Sequence, residues 1–396
     1  MGLKRMETIG LTDSEWQTMD GAVPTDPAAV DPQADPHENV AESSAGQGRR
    51  TGSFVREHAA SLAGSVLFVG GLLWLLQHGA LPVVPPAGAW VEVRGWAVAV
   101  YLVGFVFIHI LRCTRWGLLI PEPQRPPAGS VLRIGLIGYA ALVLLPFRLG
   151  EAARPALLYS RERVPLGTSA GVVGAERIVD GLVLSTLLLV ALLGAPQLSP
   201  LPDHIGQLPI PAAVIPGLAW AGVVVFGSLS IGMVAFFLWR APLARVLSSV
   251  VGRLSPRLAG RVADAADSVA GGLRFLHHGS TAAAFGSLTL LYWALNAAGI
   301  WLLAWGCGLP SPSLGQAVVI LGVLGLGLVV PNAPGFFGTF QIAAYSAMVL
   351  FFPLATVTSA GAAFVFLLYV MQIATILLMG GLAFAFGVRR RAGASR

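Results

Sequence analysis

Apolar runs of about 16 residues or more recur along the chain from residue 59 to residue 386, joined by short polar or proline-rich segments. Runs of this length and continuity read as membrane-spanning α-helices. They predict six full-length helices, at 59–76, 95–116, 169–193, 212–239, 281–305 and 356–386. The apolar residues are continuous rather than alternating, which argues against an outer-membrane barrel. Two further apolar stretches are interrupted. The stretch 131–168 breaks at Pro146-Phe-Arg-Leu-Gly150, and 314–355 breaks at 331–338, around Pro334-Gly-Phe-Phe-Gly338. Proline removes a helix hydrogen bond and glycine permits unusual dihedrals. Non-helical backbone at membrane depth is tolerated only where it is buried in protein or lines a cavity. The expected fold class is therefore an all-α polytopic membrane protein with about six full transmembrane helices. To these it adds two broken, re-entrant hairpins, which would make a possible inverted repeat.

Composition supports this class: 55% of the 396 residues are hydrophobic and only 11% charged, and the mean hydropathy is +0.75. Charge then divides the chain. Residues 10–42 contain eight carboxylates (Asp13, Glu15, Asp20, Asp26, Asp31, Asp35, Glu38, Glu42) and no lysine or arginine. Residues 1–52 are rich in Pro, Asp, Ala, Gly and Ser and bury too little apolar surface to fold, so they read as a disordered acidic tail. The integral membrane domain then spans 53–388, including an arginine-rich amphipathic cytoplasmic connector at 240–278. Residues 389–396 form a basic tail. The first apolar run begins too far in for a cleaved leader. Cys113 and Cys307 suggest neither a disulfide framework nor a metal site. The sequence calls for no cofactor and no nucleic-acid partner.

Loop charge orients the helices. The loops at 196–211 and 306–313 contain no lysine or arginine, whereas 112–133, 240–274 and 389–396 are arginine-bearing. By the positive-inside rule the first pair lies outside and the second group inside, with both termini cytoplasmic. The helix from 169 must start inside, so 131–168 enters and leaves on the cytoplasmic face. By the same parity 314–355 enters and leaves on the outer face. Two hairpins of opposite orientation would dip toward each other, and interrupted segments in corresponding halves point to a transporter's binding site.

The candidate chemistry lies at those breaks. Arg148, Glu151 and Arg154 are spaced three apart, so each neighbouring pair can bond at i,i+3. Glu176 and Asp180 share a helix face at i,i+4, with Arg177 beside them. Charges in apolar segments need partners or water. The cluster reads either as a salt-bridged knot fixing hairpin to helix, or as a cavity where arginine holds an anionic headgroup. Arg112 and Arg115 close the second helix, where they either snorkel to the interface or capture phosphate at the cavity mouth. In the second break Asn332, Pro334, Gly335, Gly338 and Gln341 are read as turn chemistry, or as backbone N–H groups and an amide lining the cavity. No catalytic constellation or P-loop is present.

Three of these stretches, Arg148-Leu-Gly-Glu-Ala-Ala-Arg154, Glu176-Arg-Ile-Val-Asp180 and Pro334-Gly-Phe-Phe-Gly338, together resemble the lysylphosphatidylglycerol synthase transmembrane family, the flippase-like UPF0104-type membrane proteins, over about residues 55–390. The chain departs from the family pattern at Phe336-Phe337, where a second glycine is usual, and at Gln341, near which an acidic residue is usual. The resemblance implies a lipid translocase without the aminoacyltransferase domain, hence not an enzyme, in a bacterial inner membrane. Membrane lipids with an anionic headgroup would be its partners. The alternative is a non-transporting scaffold or accessory subunit for a lipid-modifying enzyme of a phospholipid, isoprenoid or hopanoid pathway.

Overall fold

Proline and glycine punctuate the computed structural model where the sequence places them. The structure describes Leu67 and residues 70–394, less 205–206, 209–210, 330–332 and most of 240–266. The acidic tail, most of the first expected helix, most of the connector and Asn332 lie outside the described residues. Helical backbone at 70–78, α1, is the described part of the first helix. There follow α2 (Gly95–Gly117), α3 (Ala128–Leu144), α4 (Ala153–Glu162), α5 (Leu166–Gly194), α6 (Val214–Leu238) and α7 (Gly279–Gly306). After them come α8 (Leu314–Gly327), α9 (Thr339–Met348), α10 (Leu354–Thr358) and α11 (Ala360–Ala394). Helices α3, α5 and α10 each begin directly after a proline, Pro127, Pro165 and Pro353, whose extended ψ leads the chain into the first turn. Ser313 caps α8 by a reciprocal box: its Oγ accepts from Gln316 N at 3.2 Å, and Gln316 Oε1 accepts from Ser313 N at 3.0 Å.

The chain is a multi-pass membrane protein. Among the described residues five helices are long and apolar enough to cross a membrane: α2, α5, α6, α7 and α11. Of the most apolar window of α6 only 6% is buried. Val224, Ile231 and Leu238 stand exposed along it, as expected of a helix whose solvent is lipid. The shorter apolar helices are α3, with 17 residues, and α8, with 14. At 1.5 Å per residue they reach about 26 and 21 Å, short of a ~30 Å hydrocarbon core.

Each short helix folds back. From α3 the chain turns through a 3-10 segment, Pro146–Ala152, into α4, which packs against both α3 and α5. Gly150 permits this return: a Cβ there would lie 2.2 Å from the Ala141 carbonyl oxygen. From α8 the chain passes a 3-10 turn, Pro334–Phe336, into α9, which packs on α8 and α11. Gly338, at φ 80°, begins α9 with a dihedral few other residues adopt. The two breaks meet, since α3 packs against Pro334–Phe336.

Two apolar cores result. The larger joins α2, α5, α7, α8, α9 and α11 through residues such as Phe105, Leu188, Ile300, Leu324, Tyr345 and Phe364. The smaller gathers Trp116, Ile134, Leu158, Val172 and Phe285. Along α2, Phe105 and Ile108 belong to the first core, and Cys113 and Trp116 to the second. Along α5, Leu184 and Leu188 belong to the first and Val172 and Ala175 to the second. Arg112 on α2 and Glu176, Arg177 and Asp180 on α5 fall between them in sequence, and Arg115 follows at the edge of the second core, so the polar cluster sits at the junction of two greasy volumes.

Candidate functional site

Inside that cluster the side chains bond across elements rather than along them. Arg115, fully buried, forks onto Asp180 with Nη1 donating to Oδ1 at 2.6 Å and Nη2 to Oδ2 at 2.8 Å. Nη2 also reaches Glu176 Oε1 at 3.2 Å, and Nη1 donates to Thr289 Oγ1 of α7 at 2.9 Å. Glu176 Oε1 accepts from Tyr139 Oη of α3 at 3.1 Å, and its Oε2 from Arg154 Nη1 at 2.6 Å. Arg154 reaches this carboxylate by crossing α3 at Gly138, where a Cβ would stand 2.2 Å from Arg154 Cγ. Bidentate and charge-assisted bonds are the strong ones, and both carboxylates have several donors. A second, less buried group lies beside the first. Arg148 donates to Glu151 Oε1, from Nε at 3.0 Å and also from Nη2. Arg177 Nε lies 3.4 Å from Glu151 Oε2. Arg148 Nη1 also donates to the Leu328 carbonyl just beyond α8, which ties the first hairpin's turn to the second hairpin.

These groups flank a cavity of about 450 Å³ between the two hairpins. Arg112, Arg148, Glu151, Arg177 and Asp180 face it. Leu321, Leu324 and Val329 with Phe336 and Phe340 also line it, while Ile373 and Ile376 come from α11. Arg112 differs from its neighbours. Among the described residues it has no carboxylate within ion-pair distance, and its Nε is buried without a hydrogen-bond partner. Its guanidinium lies over the Tyr139 ring, 4.1 Å from the centroid, and 5.6 Å from that of Tyr292. Aromatic faces hold a cation without neutralising it. Beside it His109 Nε2 is also buried and unpartnered. Among the described residues no group of three or more His, Cys, Asp or Glu could hold a metal ion.

The residues singled out in the sequence therefore separate. Arg112, Arg148, Glu151, Arg177 and Asp180 face the cavity, whereas Arg115, Arg154 and Glu176 stand behind it as its support. Arg115 does not snorkel, because Asp180 and Glu176 are about one turn apart on α5 and both present acceptors to its fork. Arg154 bonds Glu176 rather than Glu151, which Arg148 and Arg177 occupy. In the second break Pro334, Gly335 and Gly338 shape the turn, and it is Phe336 and Phe340 that face the cavity. Gln341 is buried, and its Oε1 accepts from Gly338 N at 2.7 Å, capping α9 instead of lining the cavity. Periodicity passed over Tyr139, Tyr292, Asn296 and Gln372. The last two are lone amides in otherwise apolar helices, a signal that marks functional positions in membrane spans. Both face the cavity: Asn296 Nδ2 donates to the Tyr292 carbonyl at 2.8 Å, and Gln372 Nε2 to Tyr101 Oη at 2.9 Å.

Neither a curated protein nor a solved structure matched the chain. The family model described as the lysylphosphatidylglycerol synthase TM region matches residues 61–383.

Proposed function

Because the chain belongs to the lysylphosphatidylglycerol synthase TM-region family, we propose that it is a lipid translocase that takes the headgroup of an anionic lipid into the cavity between its hairpins. The carrying observation is Arg112, a half-buried guanidinium whose Nε is buried and which, among the described residues, has no carboxylate within ion-pair distance; it lines a cavity that is otherwise largely apolar. A cation drawn partly out of water without a direct ion pair is costly, and an incoming phosphate would pair with it. The apolar wall suits the first carbons of a lipid tail. Arg148 and Arg177, held by Glu151 alone among the described carboxylates, supply further donors on the same wall. The outer membrane-facing helices leave the remaining tail in lipid. The orientation read from loop charge puts the charged hairpin on the cytoplasmic side, in a bacterial inner membrane.

Reconstitution tests the reading. Liposomes containing the protein and fluorescent phosphatidylglycerol are expected to expose inner-leaflet label to an impermeant quencher faster than empty liposomes. Arg112→Gln is expected to slow this exchange by about tenfold or more, the usual scale for a lost charge-assisted contact. An exchange rate equal to that of protein-free liposomes would refute the translocase and leave a scaffold for a lipid-modifying enzyme as the reading.

A further inference from the structure

Charge balance around the cavity says more about the ligand than its anionic character. Among the described residues five guanidiniums, Arg112, Arg115, Arg148, Arg154 and Arg177, belong to the polar layer, and three carboxylates, Glu151, Glu176 and Asp180, oppose them. Two positive charges are left over. One is localised on Arg112, which has no ion-pair partner among the described residues. The other is shared by Arg148 and Arg177, which divide the single carboxylate of Glu151. All three of these guanidiniums are half-buried and line one largely apolar cavity, where a surplus of cations favours an anion that balances it, so the complement is a ligand with two negative charges.

Resting on the translocase reading above, we propose that the headgroup is a terminal phosphate, that is, a lipid phosphomonoester or diphosphate, in preference to the singly charged phosphodiester of phosphatidylglycerol. A phosphomonoester bears about −1.5 to −2 charge at pH 7 and three acceptor oxygens. Three guanidiniums line the cavity from separate elements, Arg112 on α2, Arg148 on the first break and Arg177 on α5, as many as the oxygens of such a group. A diester has only two free oxygens and one charge, and would leave one cation unbalanced. The same chemistry exists in free phosphate. The apolar wall of Leu321, Leu324, Ile373 and Ile376 selects the lipid-borne form.

Thermal stabilisation of the full chain in detergent micelles tests this with four probes: dioleoyl phosphatidic acid, dioleoyl phosphatidylglycerol, dioleoyl phosphatidylcholine and inorganic phosphate. Phosphatidic acid is expected to stabilise at a concentration about tenfold lower than phosphatidylglycerol, with no effect of phosphatidylcholine and little of inorganic phosphate. Arg112→Gln breaks no ion pair, so it is expected to fold, to lose most of that tenfold preference, and to regain part of it as Arg112→Lys. Equal response to phosphatidic acid and phosphatidylglycerol would overturn the terminal phosphate and leave the anionic-lipid reading standing. Response to neither would overturn both. Stabilisation by inorganic phosphate as strong as by phosphatidic acid would overturn the lipid as the source.

Discussion

Glu176 and Glu151 are both carboxylates held by arginines, yet their removal should have different consequences. Glu176 is fully buried and receives Arg115, Arg154 and Tyr139. Glu176→Gln keeps the shape, removes the charge, and leaves two buried guanidiniums short of their acceptor. Breaking a buried pair by neutralising one partner costs about 3–5 kcal/mol, and here α2, α3, α4 and α5 all lose an anchor together. The Glu151 side chain is 26% exposed and its partners Arg148 and Arg177 are 21% and 25% exposed. Such a pair is partly screened, so Glu151→Gln is expected to cost about 1 kcal/mol or less. Its effect should fall on lipid exchange instead, because it releases Arg148 and Arg177 at the cavity wall. Equilibrium unfolding in mixed micelles measures the first quantity and the liposome quenching assay the second. Equal destabilisation by the two substitutions, or a neutral Glu176→Gln, would refute the division between a supporting layer and a ligand-facing layer.

Other outcomes follow from the same geometry. Asp180→Asn should destabilise by about 3–5 kcal/mol by removing the bidentate partner of Arg115, whereas the double change Arg115→Met with Asp180→Leu should cost clearly less than the sum of Arg115→Met and Asp180→Leu made singly; unfolding of all four variants checks this. Gly138→Ala places a methyl 2.2 Å from Arg154 Cγ, and the overpacking cost of about 1–3 kcal/mol should exceed the ~1 kcal/mol that alanine gains over glycine in a helix, so the expected sign is net loss, again read by unfolding. Native Cys113 and Cys307 are both buried, so single cysteines introduced at the exposed Ser160 and Ser359 should dominate labelling. Ser160→Cys is expected to react with an impermeant maleimide only from the cytoplasmic face, and Ser359→Cys only from the outer face. Labelling of both from one face would remove the opposed orientation of the hairpins.

Much of the architecture could be read from spacing. Pro146 with Gly150 and Pro334 with Gly338 marked the breaks because their backbone effects are local. The pairs within one turn were legible for the same reason: Arg148 does bond Glu151 at i,i+3, and Glu176 and Asp180 do share a face, on which Arg115 converges. What spacing could not reveal is which partner an arginine chooses when several lie within its reach. Arg154 crosses a glycine gap in α3 to reach a residue on α5, and Thr289 joins Arg115 from 174 positions away. Tyrosines in apolar helices read as packing, and Tyr139 is also a donor to Glu176 and a shelf for Arg112. The amide of Gln341 looked free for a ligand because its use as a helix cap depends on the dihedral of Gly338.

The contact from Arg148 to the Leu328 carbonyl has a consequence for biosynthesis. Leu328 follows the last turn of α8, where helix carbonyls lack intrahelical donors, and part of the bonding of that break comes from a residue emerging 180 positions earlier. The earlier hairpin must therefore already be inserted, and must wait, when the later one leaves the ribosome. If the gene were cut in the connector between α6 and α7, the amino-terminal piece should persist by itself for longer than the carboxy-terminal piece. The latter should accumulate only when its other half is made in the same cell.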